Sequence, residues 1–401
     1  MANSPQSNFG GRISERLFIS FFLIIGMFGL ASPYNYNVLP ANFLFEALLF
    51  LIPITIIKLP KRDIAPFAII AILYVAASYI SSAIRNPTHI LDFAQAYKAF
   101  IYVLPLSFIY NRNLFDRDRM VFFLKIIILL FFLKYSYSIL LKIDPQLSHR
   151  PGIYTENNFE LIFLLIAFYI LKDDFQNTAK RWFALIAAIV VISGSRSSIV
   201  ALLIIYWGIY LNRLTYRTLL YLVIYSILIG IAAYIFSSRL GEQAITDVDR
   251  YRFFQVFLDE VRAWSVIDFI SGSQALTPLS PISCASLVYY ESLFSFSDDG
   301  SCYSVILHSY FLRVLFDHGV AGLIFLIWFI ARALRGCNYN WTDVSIILGV
   351  LLSTALSVSA MNSIFSSLAI ALAIGLKPGK TQFPNLAPNK MKSTDHIFSD
   401  P

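Results

Sequence analysis

The sequence predicts an all-α polytopic membrane protein with about 12 transmembrane helices and one large loop between the ninth and tenth. Apolar residues make up 58% of the 401 residues and charged residues only 14%, whereas a soluble domain carries about 25% charged residues. Long uncharged runs recur along the chain, such as Ile126 to Leu133 and Trp182 to Ile192. One core in water cannot account for these runs, but a bilayer requires them.

The predicted spans come from comparing apolar segments with the length that crosses a bilayer. Two divisions rest on short polar breaks, at 193–198 and at 361–363. The first apolar segment, Leu17 to Ala31, is interpreted as a spanning helix and not as a cleaved signal peptide, because no small-residue cleavage site follows it. The approximate spans are 14–33, 40–58, 64–84, 94–110, 120–142, 155–172, 181–194, 197–213, 216–236, 318–334, 343–360 and 362–377.

Basic residues orient the chain, because they are concentrated in alternate connections and the positive-inside rule assigns such connections to the cytoplasm. Both termini are then cytoplasmic, residues 1–377 form one integral membrane domain, and the loop at 237–307 lies on the opposite side. The polar, proline-rich residues 378–401 are expected to form a disordered cytoplasmic tail. The basic residues are Arg12, Arg16, Lys58, Lys61, Arg62, Arg112, Arg117, Arg119, Lys172, Lys180, Arg181, Arg213, Arg217, Arg332 and Arg335.

Charge and cysteine content exclude several function classes. The net charge of +7 is scattered over loops and forms no stripe, so it does not indicate nucleic-acid binding. No metal, nucleotide or redox motif is present, and no cofactor is expected. Cys284 and Cys302 share the long loop, where a disulfide and two separate thiols are equally compatible with the sequence.

Arg196 is the most informative residue, because it lies in a polar break between two apolar segments. An arginine at membrane depth costs roughly 2.5–3.5 kcal/mol, and it persists where it faces a protein interior or a watery cavity. The alternative is a helix-end arginine that extends to the lipid headgroups. The predicted topology places further polar groups on the same, non-cytoplasmic side: Arg150, Glu156, Asn157, Asn158, Arg250, Arg252, Arg262, His308, Arg313 and Asp317.

This set predicts an electropositive cavity suited to a phosphorylated lipid. Arginine donates to phosphate oxygens in a bidentate manner and stays charged, and a histidine beside several arginines is typical of a general base next to a pyrophosphate. Taken singly, each loop arginine is compatible with a headgroup contact, and His308 with a structural role. The spacing of 308–317 predicts a short surface helix in which Arg313 and Asp317 could pair, with His318 at an interface.

The motifs resemble those of the bacterial O-antigen polymerase and O-antigen ligase superfamily over roughly residues 64–375. That superfamily carries an R-x-G element followed by asparagine, an S-R pair between helices, and an H-N-x-y-L element followed by E/D-x-G-x-x-G. Here Ser309 replaces the usual asparagine. The matching elements, in order, are Arg150-Pro151-Gly152 with Glu156-Asn157-Asn158, Ser193-Gly194-Ser195-Arg196, an arginine-containing segment ending near Gly272, and His308 to Leu312 with Asp317 to Gly322.

The resemblance implies a metal-independent, inverting glycosyltransferase that uses undecaprenyl-pyrophosphate-linked glycans as donor and acceptor at the periplasmic face of the bacterial inner membrane. Arg196 would contact the donor pyrophosphate. His308 would deprotonate the acceptor hydroxyl. Membrane lipid and a chain-length regulator protein are the other partners that the resemblance suggests. The remaining expected pyrophosphate-binding residues are Arg150, Arg250, Arg252 and Lys98, with Glu156, Asn158, Arg313 and Asp317 in support.

Three functions remain open at this stage. Glu156 favours a polymerase, because ligases of the superfamily more often carry histidine there. Transfer of the glycan to another acceptor by a ligase is the first alternative. A transporter or flippase of an anionic glycolipid is the second, and Lys125 and Lys134 within the fifth predicted span are the residues that favour it.

Overall fold

The computed structural model is helical, with no β-strand in the residues it describes. The only bridge recorded between extended residues joins Phe115 to Leu376 within this described part. The residues described are 9–34, 37–56, 58–85, 88–141, 151–211, 218–238, 249–273 and 276–377. The tail predicted at 378–401 and Arg150 lie outside them.

Each of the twelve predicted spans overlaps a helix, and three shorter helices lie in the long loop. Four helices in the described part are long and apolar enough to cross a membrane, namely Gly10–Ala31, Ala65–Arg85, Arg117–Leu140 and Tyr310–Gly336. The chain is therefore a helical, membrane-embedded protein. The helices are α1 Phe9–Ala31, α2 Ala41–Ile56, α3 Ala65–Arg85, α4 Ile90–Ile109, α5 Arg117–Leu140, α6 Asn157–Leu171, α7 Ala179–Ser193, α8 Arg196–Tyr206, α9 Thr218–Ser238, α10 Asp249–Val261, α11 Val266–Ser271, α12 Pro281–Ser286, α13 Tyr310–Gly336, α14 Trp341–Ala355 and α15 Ile364–Gly375.

Both polar breaks that divide the predicted spans are confirmed. Gly194 ends α7 in the left-handed region (φ 57°), where glycine carries no Cβ penalty. Ser195 then caps α8 by accepting from the Ser198 amide at 3.3 Å. The second break contains a single 3₁₀ turn, Ala360–Asn362, and Ser363 caps α15 in the same way.

The predicted division between a short helix at 308–317 and a span that starts near residue 318 is confirmed, because Gly319 has non-helical backbone angles (φ 64°, ψ −173°) inside α13. A first helical segment, which begins at Tyr310, precedes Gly319, and the apolar segment follows it. The space that a Cβ would occupy there is filled by the Ile270 carbonyl oxygen, 2.2 Å away. Gly319 therefore serves a close backbone contact with α11, and a second helical segment follows it.

Helix α6 lies at the centre of the bundle, and all but one of its residues are buried. Its sequence is apolar around its whole circumference, which is typical of a helix enclosed by others. Helices α5, α7, α8, α14 and α15 surround it. By contrast, α3 and α9 expose long apolar rows at the periphery, such as Leu73 and Leu219, as expected of surfaces that face lipid.

The connections predicted to be cytoplasmic meet at one end of the bundle, which we call the basic end. Acidic residues pair with the basic side chains there, and the Lys377 ammonium lowers the pKa of the Asp116 carboxyl. This common location agrees with the alternation of basic loops, whereas the side of the membrane stays a prediction. The pairs are Arg119–Glu15 at 2.6 Å, Arg117–Asp174 at 2.8 Å, Lys377–Asp116 at 2.9 Å, Arg332–Asp63 at 3.6 Å and Lys172–Asp343 at 3.7 Å.

The described part of the long loop, from Asp249 to Leu307, is folded, and we call it the loop subdomain. It has its own apolar core, to which Phe253, Phe257 and Leu287 contribute. The arginine-containing segment predicted to end near Gly272 forms two helices, α10 and α11. A disulfide joins Cys284 to Cys302, with the Cα atoms 5.7 Å apart. Because disulfides persist in oxidising compartments, this bond favours a non-cytoplasmic location for the subdomain.

Cysteine labelling tests the predicted sidedness. In a Cys337→Ser background, an impermeant maleimide should label Tyr289→Cys in intact spheroplasts and Leu59→Cys only after permeabilisation. The two native side chains are 85% and 81% exposed, so access depends on sidedness alone. Burial raises the pKa of the Cys337 thiol to about 12, so any residual wild-type signal should be weak. The reverse labelling pattern would invert the topology.

Candidate functional site

Glu160 organises the chain at the end of the bundle opposite the basic end, which we call the polar end. Its buried carboxylate accepts hydrogen bonds from the amides of Tyr154 (2.7 Å), Ile153 (3.0 Å) and Thr155 (3.2 Å). The Tyr135 hydroxyl donates a fourth bond at 2.8 Å. The carboxylate also lies in the first turn of α6, where the helix dipole favours negative charge. It thereby fixes the segment between the predicted Arg-Pro-Gly element and α6.

The two asparagines after Glu156 attach this segment to the break that carries Arg196. Asn158 Oδ1 accepts from Ser195 Oγ at 2.6 Å, and Asn157 Nδ2 donates to the Ser193 carbonyl at 3.2 Å. Arg196 is the first residue of α8 and is half-buried. The polar break of one predicted motif is therefore bonded directly to the asparagines of another.

The packing of α8 against α14 indicates the position of Arg196 along the long axis of the bundle. A Cβ added at Gly208 would lie 2.9 Å from Ile346, and one added at Gly349 would lie 3.5 Å from Ile204. Continuing this antiparallel register toward the polar end places Arg196 level with position 357. That position lies in the turn after α14, two residues before Ser359.

His308 is close to the same turn. It does not lie on a surface helix, as the spacing predicted, but in the link between the 3₁₀ turn Ser304–Leu307 and α13, with φ 46°. Its side chain is exposed, with ring centroids 5.2 Å from Phe253 and 6.1 Å from Tyr290. Its carbonyl accepts from Ser359 Oγ at 3.2 Å. Sequence spacing could not reveal this position, because contacts distant in the chain hold the link.

Arg313 stabilises the link that contains His308 from the buried side. It is 5% exposed, and it donates to Ser359 Oγ at 2.7 Å and to the Gln95 carbonyl at 3.3 Å. Arg313 and Asp317, predicted as a possible pair, form no salt bridge in the described residues although their charges interact, because Arg313 donates toward α4 and the 356–363 turn. Asp317 instead accepts from Ser304 Oγ at 2.5 Å. Both residues thus support the link from either side of His308.

Several buried polar atoms around Arg313 have no hydrogen-bond partner within the described residues. An unsatisfied buried polar group costs about 1–3 kcal/mol, so a cluster of them is unusual in a well-packed interior. These atoms lie on one face of α13 and on the neighbouring turn. They make the interior of the protein next to the His308 link polar. The atoms are Tyr310 Oη, Arg313 Nε, Asp317 Oδ1 and Asn362 Oδ1.

The remaining predicted site residues are placed unequally. Arg250 and Arg252 are exposed on α10, the helix whose Phe253 packs against His308. Lys98 forms an ion pair with Glu46, so its charge is already neutralised. Glu156 occupies the N-cap position of α6, where its exposed side chain makes no capping hydrogen bond. The structure therefore brings Arg196, His308 and the α10 arginines to one end, with Lys98 in a separate pair.

The other polar residues of the spans have local partners. His318 is buried; its Nε2 lies 3.1 Å from the Ala96 carbonyl and its Nδ1 lies 2.8 Å from Tyr74 Oη. It is a packing residue, in agreement with the prediction that it lies at an interface. Lys134 donates to two carbonyls and to Tyr137 Oη. Lys125 lies 5.5 Å from the Phe175 ring centroid.

Comparison with known proteins gives no match: no protein-family model, no curated protein and no solved structure matches this chain. Within the described residues, no group of three or more His, Cys, Asp and Glu side chains could hold a metal ion. The functional proposal therefore rests on the geometry of the polar end together with the family resemblance.

Sequence reasoning selected Glu156 and missed Glu160. The available signal was position: Glu160 is the only charged residue within the apolar run from Phe159 to Leu171, and such a residue requires internal partners. Glu156 precedes the run and needs none. The apolar run that surrounds Glu160 and begins after Glu156 is the signal that separates the buried acid from the exposed one.

Replacing Glu160 tests its organising role. Glu160→Gln keeps the shape but turns one acceptor into a donor opposite backbone amides. Each buried group left unsatisfied should cost about 1–3 kcal/mol, which lowers the melting temperature and the monodisperse fraction in detergent. Glu156→Gln, four positions earlier on the exposed cap, is the matched control and should be neutral. Equal stability of the two variants would show that the Glu160 cluster is dispensable.

Proposed function

We propose that this protein is a polysaccharide polymerase that joins undecaprenyl-pyrophosphate-linked oligosaccharide repeat units at the periplasmic face of the bacterial inner membrane. The products would be O-antigen, capsule or exopolysaccharide. The observation that carries the proposal is the joint location of Arg196, His308 and the α10 arginines at the end opposite the basic end. The disulfide in the loop subdomain supports an external position for that end.

The proposed reaction is the transfer of a glycan from its pyrophosphate carrier to an acceptor hydroxyl. The acceptor hydroxyl attacks the anomeric carbon of the donor, a new carbon–oxygen bond forms, and the bond from that carbon to the phosphate oxygen breaks. The hydroxyl proton passes to His308 and then to solvent. The undecaprenyl pyrophosphate leaves as an anion. Attack opposite the leaving group inverts the anomeric centre.

Arginine is suited to the leaving group. Its planar fork stabilises the charge that develops on pyrophosphate oxygens. Arg196 is proposed to make this contact, with Arg250, Arg252 and Arg150 adding positive charge. Phe253 of α10 packs against His308, so the α10 arginines and the proposed base lie on neighbouring elements. No metal or other cofactor is part of the proposed mechanism.

Arg313, Asp317 and Asn158 are proposed as positioning residues. Arg313 is buried and connects α4 to the carbonyl of His308 through Ser359. Asp317 holds the 3₁₀ turn before His308. Asn158 fixes the serine that precedes Arg196. Each therefore acts through the residue that it holds, whereas the ion pair of Lys98 with Glu46 links α4 to α2.

A flippase of an anionic glycolipid is less well supported than an enzyme. A flippase needs charged groups along a path between both ends. The two lysines that favoured transport do not line such a path, because Lys134 is bonded to the 32–34 segment and Lys125 is held against aromatic rings near the basic end. Ligase-type transfer to another acceptor uses the same geometry and stays the first alternative.

Arg196→Lys tests the pyrophosphate contact. Lysine keeps the charge but loses the bidentate fork, so polymer yield should fall sharply while the amount of protein in the membrane stays unchanged. The matched control is Arg181→Lys, an exposed arginine at the opposite end of the α7–α8 hairpin, which should retain full yield. Normal polymer in Arg196→Ala would make Arg196 a headgroup contact.

His308→Ala tests the base. A general base contributes about 10²–10⁴-fold, so purified His308→Ala protein should bind lipid-linked donor normally but form almost no polymer. The control is His89→Ala, which removes another exposed histidine, one that packs on Phe296. Wild-type activity should survive EDTA. Full activity of His308→Ala, or strict dependence on a divalent ion, would overturn the mechanism.

A further inference from the structure

Helix α11, Val266–Ser271, is unusually apolar and unusually exposed. None of its six residues is buried. Its apolar side chains are 76% (Val266), 68% (Ile267), 43% (Phe269) and 53% (Ile270) exposed. Such a concentration on one short helix is costly in water, because exposed apolar area is unfavourable. It calls for an apolar environment outside the protein.

The contact of α11 with α13 indicates how deep α11 lies in the bilayer. Gly272 and Gly319 pack backbone against backbone, and the Ser273 amide donates to the Phe316 carbonyl at 2.7 Å. Gly319 precedes Arg332, at the basic end, by 13 positions of α13, which corresponds to about 20 Å of helix. The hydrocarbon core of a bilayer is about 30 Å thick. With Arg332 placed at the boundary of the hydrocarbon core, as the positive-inside rule expects of a basic residue at the end of a span, the contact with α11 lies inside that thickness, about 10 Å from the far boundary.

The surroundings of α11 are those of a lipid-facing surface. Val320 and Ile324, which follow the kink on α13, are 41% and 57% exposed, and they continue the apolar surface of α11 along a helix long enough to span the membrane. Arg262 lies on the N-terminal side of α11 and is exposed. A basic residue at one end and aliphatic residues at the other match the gradient from headgroups to acyl chains.

The backbone of α11 is also prepared for an apolar environment, in which free polar groups are costly. Ser265 and Asp268 form a capping box that satisfies amides at the N-terminus. At the C-terminus, the Gly272 amide bonds to the Asp268 carbonyl at 2.7 Å. Ser271 Oγ donates back to the Ile267 carbonyl at 2.9 Å. The polar side chains of the helix are thus used internally.

From these observations we infer that α11 is an interfacial membrane anchor. Its Val266, Ile267 and Ile270 side chains lie among the acyl chains of the leaflet at the polar end, and they hold the loop subdomain against the bilayer. The occupant of this apolar face is lipid. The inference requires α13 to span the membrane and does not rest on the proposed reaction.

Site-directed spin labelling tests this inference on the full chain in phospholipid nanodiscs. In a Cys337→Ser background, a nitroxide at Ile267→Cys should collide more often with oxygen, which partitions into lipid, than with a water-soluble nickel chelate. Ile324→Cys on α13 is the lipid-facing reference. Ser286→Cys, exposed on α12 of the same subdomain, is the aqueous reference, where the order of the two collision rates should be reversed.

Two results would overturn the inference. Collision rates at Ile267→Cys that match those at Ser286→Cys would place α11 in water. Low access to both reagents would indicate a covering protein, such as a second copy of the chain. If Ile267→Cys is not recovered as a monodisperse protein, Val266→Cys gives the same measurement at the most exposed position of the helix.

Discussion

The buried carboxylate of Glu160 is the interaction on which the polar end depends. It collects three consecutive amides and a tyrosine hydroxyl in a region without solvent, where each donor would otherwise be unsatisfied. The segment that it fixes then contacts α1 and the connection that follows α1, because Tyr154 Oη donates to the Phe22 carbonyl and Asn37 Nδ2 donates to the Ile153 carbonyl. Next along the chain, Asn158 positions the cap of α8. Glu160 and Asn158 thus connect the segment at 153–155 to the serine that precedes Arg196.

The two ends of the bundle use charge differently. At the basic end, arginines and lysines pair with carboxylates in partly exposed positions, and such pairs contribute little stability singly. By the positive-inside rule, we expect their positive charge to favour retention of this end on the cytoplasmic side. At the polar end, the buried Arg313 donates to the Ser359 hydroxyl and the Gln95 carbonyl and so supports a turn of the chain.

The sequence predicted the helices well and the site only partly. Apolar segments and their polar breaks are local signals, so the break at Ser193 to Ser198 and the turn at 361–363 were both found where predicted. The conformation of His308 was not, because it is set by Ser359 and Phe253, which are distant in the chain. The helix break near Gly319 was also found where predicted, whereas its close contact with the backbone of α11 could not be predicted from spacing. Side-chain pairing at i,i+4 failed for Arg313 because tertiary partners were available on α4.

The disulfide between Cys284 and Cys302 has a consequence for biogenesis. It closes a loop of 18 residues, and a closure of this size stabilises a fold by about 3 kcal/mol in the chain-entropy model. The bond joins Cys284 of α12 to the segment that leads to His308. The Leu279 amide donates to the Cys302 carbonyl and adds a second connection to that segment. With the subdomain outside, this bond can form only after translocation. The polar end would then acquire its final shape outside the cytoplasm, and reductant would loosen it while leaving the helical bundle inserted.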